Sequence, residues 1–239
     1  MKKIPPEISV VILCYRAEKL ASQFVGEMEK ILKSEELDYE LVLVANYHKG
    51  SLSSDNTPAI VRNLANNNPK ITAVIKEKEG MMGWDMRSGL EASSSRTIAV
   101  IDGDGQMPAS DVIKVYKALK SGNFDMAKTY RIVRGDGLLR IIISRVFNGV
   151  LKLLFPRVKV MDTNSKPKIL TREAYSRLCL TSDRWFIDAE IVIQASYKNF
   201  KIIEIPTVFH INRHRASFIR FGAVAEFIVD LIKYRISWW

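Results

Sequence analysis

Two carboxylates one residue apart, Asp102 and Asp104, stand between glycines in IAVIDGDGQMP (98–108), directly after a run of apolar residues. At that spacing both side chains can face one ion, and the flanking glycines leave room for a ligand. Oxygen-only ligands suit Mg2+ or Mn2+, which keep waters and share their coordination with phosphates. Taken alone, Asp-Gly-Asp reads more simply as a solvated turn, so its surroundings must decide. An EF-hand is excluded, because the twelve-residue ligand spacing and its closing Glu are missing.

The elements that would position these carboxylates alternate. Apolar runs at 8–14, 39–45, 71–76, 97–102 and 125–130 predict strands, and the stretches 17–33, 58–66, 83–93 and 109–120 between them predict helices. Continuous apolar strands alternating with helices indicate an α/β fold, a mostly parallel sheet covered on both faces. Ligands of such sheets bind beyond the carboxyl ends of the strands, where Tyr15, Asn46, Lys76 and Asp102 all fall. No GxGxxG follows the first strand and no GxxxxGK[ST] occurs, which argues against the usual dinucleotide and P-loop sites. No internal repeat or low-complexity linker interrupts the chain.

At 239 residues the chain suits one large domain, or a domain with an appendage. The N-terminal apolar run is short, is interrupted by Glu7 and lacks a small-residue cleavage site, so it reads as a strand rather than a secretory leader. Cys14 and Cys179 form no CxxC, which fits a reducing compartment. The net charge of +10 is concentrated in two places. Residues 129–159 carry seven Lys/Arg against Asp136, and residues 198–239 carry seven against Glu204, Glu226 and Asp230. Both segments are also rich in large apolar residues, a mixture that suits an anionic membrane surface better than nucleic acid. The stretch 137–155 predicts an apolar helix broken by Arg140, Arg145 and Lys152. Three such charges cost roughly 2.5–3.5 kcal/mol each at a bilayer centre, so an interfacial or partly buried helix fits better than a spanning one. The C-terminal segment places Glu226, Asp230 and Lys233 on one helical face and Phe227, Ile228, Leu231 and Ile232 on another, and ends in Trp238 and Trp239. The alternative for both helices is packing on the domain or on a second subunit.

ISVVILCY, DNT (55–57), GWDMRSGLEAS (83–93), VIDGDGQMP and DMAKTYR occur in the order expected of family 2 glycosyltransferases with the GT-A fold, the Rossmann-like fold of nucleotide-diphospho-sugar transferases. ISRVFNGVLKLLF…VKVMDTNSKPKILTREA and WFIDAEIVIQASYKNFKIIEIPTVFHINRHRAS resemble the second half of the polyprenyl-phosphate sugar transferases, the group of dolichyl-phosphate mannose synthase. The resemblance spans about residues 8–220. It implies that Asp102 faces the ribose or metal and that Asp104 coordinates a Mg2+ or Mn2+ ion bridging the nucleotide-sugar diphosphate. Tyr15, Asn46, Asp55, Lys76, Arg87 and Gln106 would line the donor site, and Arg131, Arg213 and Ser217 would serve phosphates or the acceptor. Asp188 or Glu190 would sit on the acceptor side. A lipid-phosphate acceptor needs positioning more than deprotonation, whereas a hydroxyl acceptor needs a base, for which Asp188 is the first choice. His210 and His214 read as loop residues.

Departures accompany the resemblance. The family's VDDGSTD is VANYHKGSLSSDNT here, with Asn46 in the acidic position and Asp55 near the end, and its SGF is NSKP (164–167). The resemblance implies an inverting, metal-dependent transferase moving a sugar from a nucleotide-sugar to a polyprenyl phosphate or a membrane-associated glycan. It would lie peripherally on the cytoplasmic face of the membrane, without nucleic acid and with oligomerisation open. Residues 1–215 would form the transferase domain, including the amphipathic helix at about 137–155, and residues 216–239 a membrane-associating helix. A degenerate scaffold subunit and a sugar nucleotidyltransferase are the competing readings.

Overall fold

The computed structural model describes residues 4–50, 54–134, 138–209 and 221–237. Its first half runs β1 (Ile8–Leu13), α1 (Lys19–Ser34), β2 (Tyr39–Val44), α2 (Thr57–Asn67), β3 (Ile71–Val74), α3 (Met82–Ala92), β4 (Thr97–Asp102), α4 (Ser110–Lys120) and β5 (Met126–Arg134). The alternation expected from the apolar runs is therefore present. Then follow α5 (Leu138–Leu154), β6 (Lys168–Thr171), α6 (Arg172–Ser176), α7 (Ile187–Tyr197), β7 (Ile202–Phe209) and α8 (Phe221–Ser237).

One seven-stranded sheet has the order β3-β2-β1-β4-β6-β5-β7. Successive side chains of a strand point to opposite faces, and β1 feeds both layers accordingly. Ile8, Val10 and Ile12 join α1 and α4 residues such as Phe24, Met28, Val112 and Val115 on one face. Val11 and Leu13 join Met86, Leu90, Leu151, Ile187 and Ile191 on the other. Burial on both faces explains why these strands read as unbroken apolar runs. Helix α7 is buried from Ile187 to Ala195, which explains its lack of an amphipathic period.

The sheet is mostly parallel, with β6 the exception: it runs antiparallel to both β4 and β5. Its first residue, Lys168, therefore lies opposite Val100 of β4 and Lys128 of β5, and the Asn164–Pro167 segment enters at the edge where the other strands end. Strand β5 extends to Arg134, beyond the expected 125–130, because β7 pairs along its length with a register shift between Arg131 and Val133.

Helices α5 and α8 pack on each other and on the second layer. Phe147 meets Phe227 edge-on with ring centroids 4.2 Å apart, and Leu151 and Leu231 are fully buried. The Arg235 guanidinium donates to the Leu154 carbonyl at 3.0 Å, tying the ends of the two helices together. Leu153 (81 % exposed) and Ile236 (72 % exposed) project near that junction, with Val146, Val229 and Ile232 also outward. Among the described residues no helix is long and apolar enough to cross a membrane.

Candidate functional site

The carboxyl ends of β1, β2, β3 and β4 open onto one cleft, and the loops leaving them carry most of the expected residues. After β1, Tyr15 is crossed by the Lys78 ammonium at 4.0 Å from its ring centroid and by His48 edge-on at 5.9 Å. Arg16 and Glu18 both take left-handed backbone (φ 51 and 43), uncommon for residues with a side chain. The Glu18 amide donates to the Thr57 hydroxyl at 2.9 Å, joining this loop to the start of α2.

After β2, Asn46 is buried and fully engaged. Its amide nitrogen donates to Asp85 Oδ1 at 2.9 Å and to Ser88 Oγ at 3.1 Å, and its oxygen accepts from the Lys76 backbone amide at 2.9 Å. Asp85 is itself buried and paired with Lys78. Burial raises the Asp85 carboxyl, with Lys78 and Asn46 opposing. An amide at position 46 thus gives Asp85 a donor, where a second carboxylate would face a like charge. The Lys76 side chain is exposed. Asp55 is buried and accepts from the Thr57 amide at 3.0 Å and its hydroxyl at 2.6 Å, holding the chain into α2. Asp55 also lines a cavity of about 270 Å3 with Tyr47, Asn56, Pro58, Ala59, Arg62 and Ile75. A larger open hollow, about 610 Å3, lies by Asn199, Phe200 and Ile202, at the amino-terminal end of β7, and contains none of the expected residues.

After β4 the backbone makes a tight turn. A Cβ on Gly103 would lie 2.8 Å from Ile12 Cγ2, and Gly105 has φ +72, so glycine is required at both positions. Asp104 Oδ1 accepts from the Gln106 amide at 3.0 Å, which fixes that carboxylate at the mouth of the turn. Asp102 Oδ2 receives the Lys166 ammonium at 3.2 Å.

Lys166 and Lys168 were not among the expected site residues, and they organise the floor of the cleft. Lys166 also lies 3.2 Å from Asp188 Oδ2, and Lys168 donates to Asp188 Oδ1 and, at 3.0 Å, to the Ser165 carbonyl. The side chains of both lysines and of Asp188 are 3 % exposed or less. Burial alone would raise the Asp188 carboxyl, but the two ammonium groups outweigh it and hold the group below its ordinary range. Burial pushes Lys168 down to about 8, with Asp188 opposing, while the two carboxylates hold Lys166 above its ordinary range against burial. Lys128, also fully buried, reaches the Thr129 carbonyl at 2.6 Å, the Asp162 carbonyl and Glu204 at 3.1 Å. The Thr129 hydroxyl bonds Ser165 Oγ at 2.6 Å and the Lys166 carbonyl at 2.7 Å.

Other expected residues turn elsewhere. Arg131 forms a bidentate pair with Asp162 at 2.6 and 2.8 Å. Burial would raise Asp162; Arg131 and then Lys128 outweigh it and hold the carboxyl well below its usual range. Arg87 reaches the Thr181 carbonyl at 3.0 Å and Asp183 at 2.7 Å. Glu190 accepts from the Thr181 amide and hydroxyl, both at 3.0 Å, and from the Ser182 amide at 2.9 Å, and so shapes the loop that Arg87 touches. Arg213, Ser217, His210 and His214 lie outside the described residues.

A hard divalent cation fits the donor chemistry of Asp104. Among the described residues no group of three His, Cys, Asp or Glu could hold a metal.

Residues 9–179 match the protein family described as glycosyl transferase family 2. The glycosyltransferase AglD of Haloferax volcanii is 25% identical over 210 residues, which cover 84% of this chain and 32% of AglD, so the chain spans about a third of that relative. A dolichyl-phosphate beta-glucosyltransferase of Trichomonas vaginalis is 26% identical over 247 residues, 96% of this chain and 73% of the relative. Glucosyl-3-phosphoglycerate synthase from Mycobacterium tuberculosis, solved with Mn2+, uridine diphosphate and glucosyl-3-phosphoglycerate, superposes with a TM-score of 0.73 at 16% identity, over 96% of this chain and 80% of the synthase. The mostly parallel seven-stranded sheet with its surrounding helices has the GT-A fold, and the chain belongs to glycosyl transferase family 2.

Proposed function

We propose that this chain transfers a sugar, with inversion, from a nucleotide-sugar to a polyprenyl phosphate at a membrane surface. The observation that carries the choice of acceptor is Asp188. A general base must accept a proton near neutral pH, yet both oxygens of this buried carboxylate are held by ammonium groups that keep it ionised. Glu190 is equally committed, to the 181–182 backbone. An acceptor that is already an anion needs no base. A lipid phosphate meets that condition, and a hydroxyl does not.

The cavity beside Tyr47, Asp55 and Ile75 suits a nucleobase, with an aromatic wall, an apolar wall and polar groups at the rim. Tyr15 and Asp102 face the ribose side. Asp104 would hold a Mg2+ or Mn2+ ion, which when bound would neutralise charge developing on the leaving diphosphate. The acceptor phosphate oxygen forms the new bond to the anomeric carbon as the bond to the diphosphate breaks, and the bonding pair leaves with the diphosphate oxygen. Asp188 and Lys166 connect the acceptor-side helix α7 to the donor carboxylate Asp102 and fix the distance between the two substrates. The exposed apolar residues of α5 and α8, with Arg145, Lys152 and Lys233 on the same helices, would seat the protein on an anionic bilayer. The similarity to the dolichyl-phosphate glucosyltransferase supports this reading.

The test is a screen of single nucleotide-sugars with Mn2+, with and without polyprenyl phosphate. Nucleoside diphosphate release that requires the lipid phosphate and disappears in Asp104→Ala is expected. Lack of turnover with every common donor would sink the proposal.

A further inference from the structure

Asp102 already has a cation. The Lys166 ammonium lies 3.2 Å from Asp102 Oδ2 and 3.2 Å from Asp188 Oδ2, with Met82 Sδ at 3.6 Å. The Lys166 side chain is 3 % exposed and that of Asp102 is 33 % exposed, so the ammonium closes the inner side of a carboxylate whose outer side meets the cleft. The charge has little room to retreat, because its stem is buried and Asp188 holds the head from behind. A divalent ion bound to Asp102 would sit within a few ångströms of this like charge, whereas Asp104, two residues on and turned by its bond to the Gln106 amide, has its own place at the mouth of the turn.

We propose that Lys166 is a positioning residue that acts as a resident cation of the donor site. It fixes Asp102 and neutralises that carboxylate from its inner side, which lowers the repulsion Asp102 would exert on a bound diphosphate and thereby reduces the dependence of diphosphate binding on a divalent ion. The inference rests on the donor site proposed above.

Inorganic pyrophosphate and Mn2+ are sufficient probes, since neither requires the base or sugar to be known. Calorimetry should show wild-type protein binding pyrophosphate in chelator within about tenfold of its affinity in Mn2+. Lys166→Met should lose chelator-resistant binding by about tenfold or more, yet bind Mn2+ alone about tenfold more tightly by electron paramagnetic resonance titration, because Asp102 is released to join Asp104. Lys166→Arg should keep the wild-type pattern. A variant that is merely damaged loses both ligands together and cannot gain Mn2+ affinity, and the wild-type comparison needs no variant. Wild-type protein that binds pyrophosphate only with metal overturns the inference, as does Lys166→Met binding Mn2+ no more tightly than wild type. Wild-type protein that binds neither pyrophosphate, UDP nor GDP under any condition rejects the donor site itself.

Discussion

Replacing Asp188 by Asn removes the shared partner of two buried ammonium groups and keeps the shape of the side chain. For the Lys166 contact at 3.2 Å, Coulomb attraction at an effective dielectric of about 20 is roughly 5 kcal/mol, before the desolvation it offsets. Removing one partner of a buried pair costs about 3–5 kcal/mol in net terms. Lys166 retains Asp102 after the change, whereas Lys168 retains only the Ser165 carbonyl, so the lower half of that range is expected. In a domain of this size each kcal/mol shifts the midpoint by about 2–4 °C, so thermal unfolding at pH 7 should drop by roughly 6–16 °C. The pH dependence adds a second handle. Lys168 titrates near 8 when folded, below its ordinary 10.5, so between these values the unfolded chain binds more protons and stability rises with pH. Without Asp188 the folded value falls further and that rise starts at lower pH. The deficit of Asp188→Asn should therefore narrow as pH climbs toward 8 and stay constant above it. The double change Asp188→Asn with Lys168→Met should recover much of the loss, because no buried amine is left without its carboxylate. An Asp188→Asn protein within about 1 kcal/mol of wild type at pH 7, or a deficit that widens toward pH 8, would refute this reasoning.

Restoring an acid with Asn46→Asp should destabilise the protein at pH 7 by about 2–4 kcal/mol, because the new carboxylate faces buried Asp85. The loss should shrink toward pH 5 as the pair takes up a proton, which urea unfolding at the two pH values will measure. Glu190→Gln should cost about 2–3 kcal/mol and speed hydrogen exchange at the Thr181 and Ser182 amides, which lose a charged acceptor. Leu153→Glu combined with Ile236→Glu should weaken sedimentation with anionic vesicles by about tenfold or more while leaving the melting midpoint within a few degrees, since both side chains are exposed.

Much of the first half of the fold was legible in the chain. The strands β1 to β4 are buried on both faces and announce themselves as apolar runs, and the turn after β4 carries its own glycines. What escaped was whatever depended on topology. The apolar run Lys168–Thr171 spans 4 residues, too short to reveal that it would run antiparallel between β4 and β5. That reversal delivers Lys166 and Lys168 to the strand ends. A signal was present in NSKPKIL, where two lysines flank a proline at the head of an apolar strand, but a charge there reads as a solvated loop until its partners are known. Asn46 reads from the sequence as a departure from the family's acidic position for a similar reason. Its partner Asp85 lies in the neighbouring helix, 39 residues on, and only the packing of α3 under β2 shows that the amide answers a buried carboxylate.

The central claim, sugar transfer to an anionic lipid acceptor without a protein base, is tested most directly by mass spectrometry of the lipid product. The protein would be given its active nucleotide-sugar with equal amounts of a polyprenyl phosphate and the corresponding free polyprenol. The account predicts a glycosyl phosphopolyprenol and no glycosylated free alcohol. Glycosylation of the free alcohol at a comparable rate would contradict it.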